Sequence, residues 1–72
     1  MPTIRRIDPA KNTARFYALA VQSELLGEWS VVREWGRIGR AGRVKIEPHP
    51  ELEIAETAAV QIEARKRRRG YR

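Results

Sequence analysis

Arg33, Trp35 and Arg37 recur at every second position of a 72-residue chain, inside the stretch REWGRIGRAGR (residues 33–43) that also holds Arg40, Arg43 and three glycines. Side chains of an extended strand alternate between faces, so these three share one side with Cβ atoms roughly 7 Å apart, about one phosphate-to-phosphate step. An indole between two guanidiniums is a stacking platform with charged flanks, suited to sugars or bases exposed at a nucleic-acid terminus or single strand. A plainer reading makes Trp29, Val31 and Trp35 core residues with the arginines snorkelling outward. Spacing leaves the two readings of Trp35 level, while Trp29 and Val31 are assigned to the core.

A second basic element is the run Arg65-Lys66-Arg67-Arg68-Arg69. One or two cations offset the C-terminal dipole of a helix, so five in succession point to contact with a polyanion. Fifteen Lys and Arg against nine Asp and Glu give a net charge of +6. The pI near 10.8 lies in the range where a domain-wide basic footprint suggests nucleic acid. Twelve of the cations are arginine, the better bidentate partner for phosphates and base edges. Four of the acids, Glu47, Glu51, Glu53 and Glu56, gather in one short region, so the positive charge is segregated.

Other chemistries fail on inventory. His49 is the single histidine, set between Pro48 and Pro50, so a nucleophile–base–orienter set would have to be assembled around a loop residue, against the plainer reading of a solvated turn or packing role. Glu53, Glu56 and Glu63 are spaced for solubility and dipole compensation rather than acid–base work. There is no cysteine, which removes disulfides and thiolate metal sites. Gly36, Gly39 and Gly42 stand at steps of three, matching neither the dinucleotide nor the P-loop pattern. The expectation is a protein with no catalytic residue, metal, cofactor or small-molecule substrate. The longest uncharged stretch, Phe16 to Ser23, is too short to span a bilayer, and no signal-peptide core is visible at the N-terminus. The sequence therefore reads as a soluble cytoplasmic protein without a membrane partner.

The elements that must position these residues follow from periodicity. Thr3–Ile7 alternates as a short edge strand, broken at Asp8-Pro9. Ala14–Ser23 alternates with Tyr17, Leu19 and Val21 on one side and Phe16, Ala18, Ala20 and Gln22 on the other. After a turn at Glu24-Leu25-Leu26-Gly27, the period of two resumes from Glu28 to Arg37, with Glu34 and Gly36 opposite the arginines and Trp35. Gly39 and Gly42 bracket a tight connection, glycine supplying positive φ. Arg43–Glu47 is the return strand, expected to turn Val44 and Ile46 to the core and Arg43 and Lys45 to solvent. Pro48-His49-Pro50 is expected to stop the ladder. From Glu51 onward Leu52, Ala55, Ala59 and Ile62 recur at helical steps, with Ala58 widening the stripe, over roughly five turns. Gly70 stands at the C-terminal cap. The chain, residues 1–72, is one small α+β domain: an antiparallel sheet with one C-terminal helix packed on it.

Trp35-Gly36-Arg37, followed by Ile38-Gly39 and the Gly42 hairpin, resembles the WGR domain named for that tripeptide, known from DNA-damage-activated poly(ADP-ribose) polymerases and from bacterial proteins. Arg15-Phe16-Tyr17 looks like the family's opening aromatic strand and Gly70-Tyr71 like its closing pair, so the resemblance covers about residues 14–72. It implies a twisted antiparallel sheet backed by a helix. It also implies that Trp35 packs against sugar and base at a strand terminus while Arg37 makes a backbone or interdomain contact. Tyr71, with Arg69 beside it, would add phosphate contacts. Glu34 stands where polymerase members often carry a basic residue. With the resemblance, the contest over Trp35 moves toward contact. The expected function is a stand-alone, non-enzymatic module binding DNA ends or nicks through Arg15, Arg33, Trp35, Gly36, Arg37, Arg40, Arg43, Lys45, Arg67, Arg69 and Tyr71. RNA is the other nucleic acid such a surface would accept. The competing class is an adaptor that presents the same basic face to an acidic protein.

Overall fold

A computed structural model describes residues 3–72; Met1 and Pro2 lie outside the described residues. Strands β1 (Thr3–Asp8), β2 (Thr13–Ser23), β3 (Trp29–Arg37) and β4 (Arg43–His49) precede helix α1 (Leu52–Arg68). The strands pair in chain order as an antiparallel meander. This is the expected α+β architecture. A short 3-10 turn, Pro9–Lys11, joins β1 to β2 and ends on Asn12 with φ 52°, a left-handed conformation that asparagine tolerates.

Helix α1 covers one face of the sheet. Ile4, Tyr17, Leu19 and Val31 form the sheet side of the core, and Ala55, Ala59 and Ile62 the helix side. Alanine at the two central positions lets the helix backbone approach closely, so a 72-residue chain encloses a core with few large side chains. Trp29 and Trp35 are half-buried at its margins. The opposite sheet face carries no second layer among the described residues, and Val44 and Ile46 lie on it, 58% and 57% exposed. This reverses the expected orientation of β4. The β3–β4 register pairs Arg33 with Lys45 and Val31 with Glu47, and opposite residues share a face. Arg43, Lys45 and Glu47 therefore project toward the helix side, a consequence of register that no inspection of β4 alone reveals.

The ladder also continues past its expected stop, since Ser30 pairs with Pro48 and Trp29 with His49. Strand β4 has one neighbour, and a proline on an edge strand can turn its missing N–H away from the ladder.

The β3–β4 hairpin uses its glycines in two ways. Gly39 has φ +88°, a conformation that favours glycine. Gly42 has no such angle, contrary to expectation; its lack of a side chain is required by close approach. A Cβ there would lie 2.6 Å from the Trp35 carbonyl oxygen and 2.9 Å from Phe16 Cζ. Gly36 meets Gly42 from the other side, where a Cβ would stand 3.0 Å from the Gly42 Cα, and Phe16, opposite Gly36 in register, fills the surface over the pair.

Replacing Gly42 by alanine must displace backbone rather than a flexible side-chain tip. G42A is expected to lose about 1–3 kcal/mol of stability, read as a fall in Tm of roughly 4–8 °C per kcal/mol for a domain of this size. A tryptophan-emission shift should accompany it, because the displaced carbonyl belongs to Trp35.

Candidate nucleic-acid interface

The site is built on Tyr17, a residue that sequence reasoning placed on a strand face without giving it a role. It stands opposite Trp35 in register, and the two rings stack with centroids 5.8 Å apart and planes 17° from parallel. The Tyr71 ring meets Tyr17 edge-on at 6.2 Å and 76°. Both arrangements are favoured by aromatic quadrupoles. Lys66 Nζ lies 4.6 Å from the centre of the Tyr17 ring, within cation–π range. Tyr17 is 2% exposed, so it is a buried support that orients the half-buried Trp35 ring and the buried Tyr71 ring.

Tyr71 reaches this position through the end of α1. Gly70 adopts φ +99°, its N–H donates to the Arg67 carbonyl, and the Tyr71 N–H donates to that of Lys66, both at 3.1 Å. This is the paired capping pattern in which glycine satisfies the last helical carbonyls and turns the chain back. Arg72 then exchanges two backbone hydrogen bonds with Arg5, at 2.7 and 2.8 Å. Those bonds cover part of the β1 edge and hold Tyr71 in the core.

Around the exposed side of Trp35 lies a cleft of about 380 Å³, lined by Arg15, Trp35, Gly36, Arg37, Ala41, Gly42, Arg43 and Tyr71. Six of the sequence-predicted site residues meet there: Arg15, Trp35, Gly36, Arg37, Arg43 and Tyr71. Arg43 enters through its register opposite Trp35. None of the three cleft-lining arginines forms an ion pair among the described residues. Glu34 projects from the other face, opposite Ala18 and Val44, and its charge does not face the cleft.

The remaining predicted residues are placed differently. Arg33 is part of an internal network, its Nε donating to the Tyr17 hydroxyl at 2.6 Å and its Nη1 to Glu47 Oε1 at 2.5 Å. The expected platform of an indole between two free guanidiniums is thus replaced by an indole backed by tyrosine, with one arginine committed beneath. Lys45 lies 3.7 Å from the same carboxylate. Arg40 is exposed at the hairpin tip, where its N–H donates to the Arg37 carbonyl. Arg67 approaches Glu63 at 3.4 Å along the helix, and Arg69 caps the helix, exposed. His49 is half-buried opposite Trp29, and its Nε2 is buried without a hydrogen-bond partner among the described residues.

Charge around Tyr17 is tuned by these contacts. Burial opposes the Arg33 charge, but hydrogen bonds to Glu47 and Tyr17 outweigh it and hold the guanidinium above its ordinary pKa. The Arg33 hydrogen bond in turn holds the Glu47 carboxyl below its ordinary value. Lys66 is pushed down, first by burial and then by Arg69, Arg33 and Arg65.

A carboxylate whose folded-state pKa is depressed stabilises the fold above its unfolded value and loses that contribution as pH falls through the folded value. Wild type is therefore expected to exceed Glu47→Gln in stability at neutral pH by on the order of 1–2 kcal/mol. Thermal melts should show the gap closing as pH drops below the ordinary glutamate range; a gap constant down to strong acid would exclude the Arg33–Glu47 pair as its source.

The family model for the WGR domain matches residues 2–72. The chain is 36% identical over 69 residues to an uncharacterized protein, y4dW, of Sinorhizobium fredii (strain NBRC 101917 / NGR234), in a match covering 96% of this chain and 34% of that protein. It thus spans about a third of the length of the curated relative it matches. No solved structure matches it. No helix among the described residues is long and apolar enough to cross a membrane. A match over nearly the whole chain, with Trp35, Gly36 and Arg37 lining one basic cleft, makes this chain a member of the WGR domain family.

Proposed function

We propose that this domain is a non-enzymatic module that binds DNA at ends or nicks, seating the terminal sugar and base against Trp35. Family membership supports nucleic-acid binding at the coarse level. The observation that carries this reading is the cleft itself, in which three arginines without carboxylate partners among the described residues surround one indole. Unpaired guanidiniums around a concave surface suit phosphate oxygens. An indole whose position is held by Tyr17 can stack on a terminal base without first being ordered, which lowers the entropic cost of binding. Stacking favours ends and nicks because only there is a base face free of its neighbour. Arg15, Arg37 and Arg43 engage the adjoining phosphates, Arg40 and Arg69 extend the positive field, and Arg33 acts indirectly by holding Tyr17.

Binding of nicked, blunt-ended and closed-circular DNA at one salt concentration tests this reading. Nicked DNA is expected to bind more tightly than closed circles, and Trp35→Ala to remove that preference. One stacked base is worth roughly 1–3 kcal/mol, about five- to 150-fold in affinity. About five phosphate contacts predict a log–log salt slope near −4.5. Equal affinity for nicked, closed-circular and RNA duplexes would reject end recognition and leave only electrostatic attraction.

A further inference from the structure

Three arginines stand directly opposite one another on three adjacent strands. Arg6 of β1 pairs with Arg15 of β2, and Arg15 pairs with Arg37 of β3. Residues so placed share a face, on strands roughly 4.8 Å apart, so the side chains form a row running across the sheet. The row lies beside Ile4, Tyr17, Trp35 and Arg43, themselves in register. Like charges directly opposite each other are destabilising. None of the three forms an ion pair among the described residues, and Asp8, two positions along β1 from Arg6, does not bond to them.

The row also leads somewhere. Beyond Arg6, a second concave surface of about 580 Å³ is lined by Arg5, Arg6, Asp8, Gly70 and Arg72 among others. The Arg6 side chain is half-buried and laid across Gly70, where an added Cβ would come 3.6 Å from Arg6 Nε. The helix cap therefore positions it. Arg72 is held alongside β1 by its two backbone bonds to Arg5. Tyr71 lines the first cleft, and its neighbours Gly70 and Arg72 line the second.

We propose that this row is a track for a phosphodiester backbone, crossing the sheet from Arg37 over Arg15 to Arg6, where Arg6 forms a second phosphate subsite beyond Tyr71. The inference rests on the nucleic-acid reading above and gives the bound strand a direction, from its terminus at Trp35 toward the β1 edge. Phosphates along the row supply the anions that the fold does not, offsetting a repulsion that the free protein carries.

Arg6→Gln separates this proposal from end recognition. Its salt slope on a nicked duplex should be shallower than that of wild type by about 0.9, one phosphate contact, and Arg6→Lys should restore the slope. The free R6Q protein should melt at the same temperature as wild type or higher, because one of three facing cations is gone; a lower Tm would make Arg6 a structural residue and overturn the track. A single neutral methylphosphonate moved along the strand should weaken wild type at one position to which R6Q is indifferent, and the absence of any such position would also overturn it. If R6Q leaves the slope unchanged while Trp35→Ala abolishes nick preference, the track falls and end recognition stands. If R6Q flattens the slope on nicked and closed-circular DNA alike while Trp35→Ala changes nothing, the track stands and end recognition falls.

Discussion

Stacking between Tyr17 and Trp35 couples the hydrophobic core to the basic cleft, since one ring is buried and the other lines the opening. Tyr17 also receives the Tyr71 edge, the Arg33 hydrogen bond and the Lys66 ammonium. Each partner comes from a different part of the chain: β3, the end of α1, and the segment that follows the helix. Holding one ring in place therefore requires the β2–β3 register, the seating of the helix and the Gly70 cap at the same time. Core packing and interface geometry are a single constraint, and a change that loosens the ring is felt in the cleft.

The small core explains why so much of the surface is given to charge. Alanine at positions 55 and 59 brings the helix close, and four sheet residues with Ile62 and Tyr71 complete the buried set. Where the helix no longer covers the sheet, the same face continues as arginine: Arg6, Arg15 and Arg37 in one row, Arg43 beside Trp35. Apart from Asp8, which lines the second concave surface with Arg6, the carboxylates of the described residues lie elsewhere. Glu24 and Glu28 flank the β2–β3 turn, at the end where β4 meets α1, and Glu47 is occupied by Arg33. Repulsion within the arginine row costs stability, and an anion laid along it recovers that cost.

Much of the fold is legible in local pattern. The alternation of β2 and β3 separates Tyr17, Leu19 and Val31 from Ala18, Ala20 and Val32, because a paired strand with one covered face requires a period of two. Leu52, Ala55, Ala59 and Ile62 mark α1 by the same logic at a period of 3.6, and Gly70 marks its end. Strand β4 misleads. Val44 and Ile46 look like its core face, yet it is an edge strand whose other face supplies Glu47 to Arg33 and Arg43 to the cleft. The site is legible in part for a related reason. Trp35, Gly36 and Arg37 adjoin in sequence and share the cleft, but Arg33, two residues away on the same face, is withdrawn by a carboxylate fourteen positions later. Neither Tyr17 as a support nor Arg6 as a neighbour of Arg15 can be found without knowing which strand residues face each other.

By itself, the sequence determined the order and type of the elements, the positions of the main breaks, the segregation of charge and the tripeptide that marks the family. These are local properties, set by backbone dihedrals, side-chain periodicity and composition. Tertiary structure alone decided which face of β4 is covered, why Gly42 cannot carry a side chain, which arginines are free and which are spent on internal partners. Those outcomes depend on register between strands and on the path of the helix over them. Both are settled by packing among residues far apart in the chain, and a shift of one residue would exchange every side chain between the two faces of a strand.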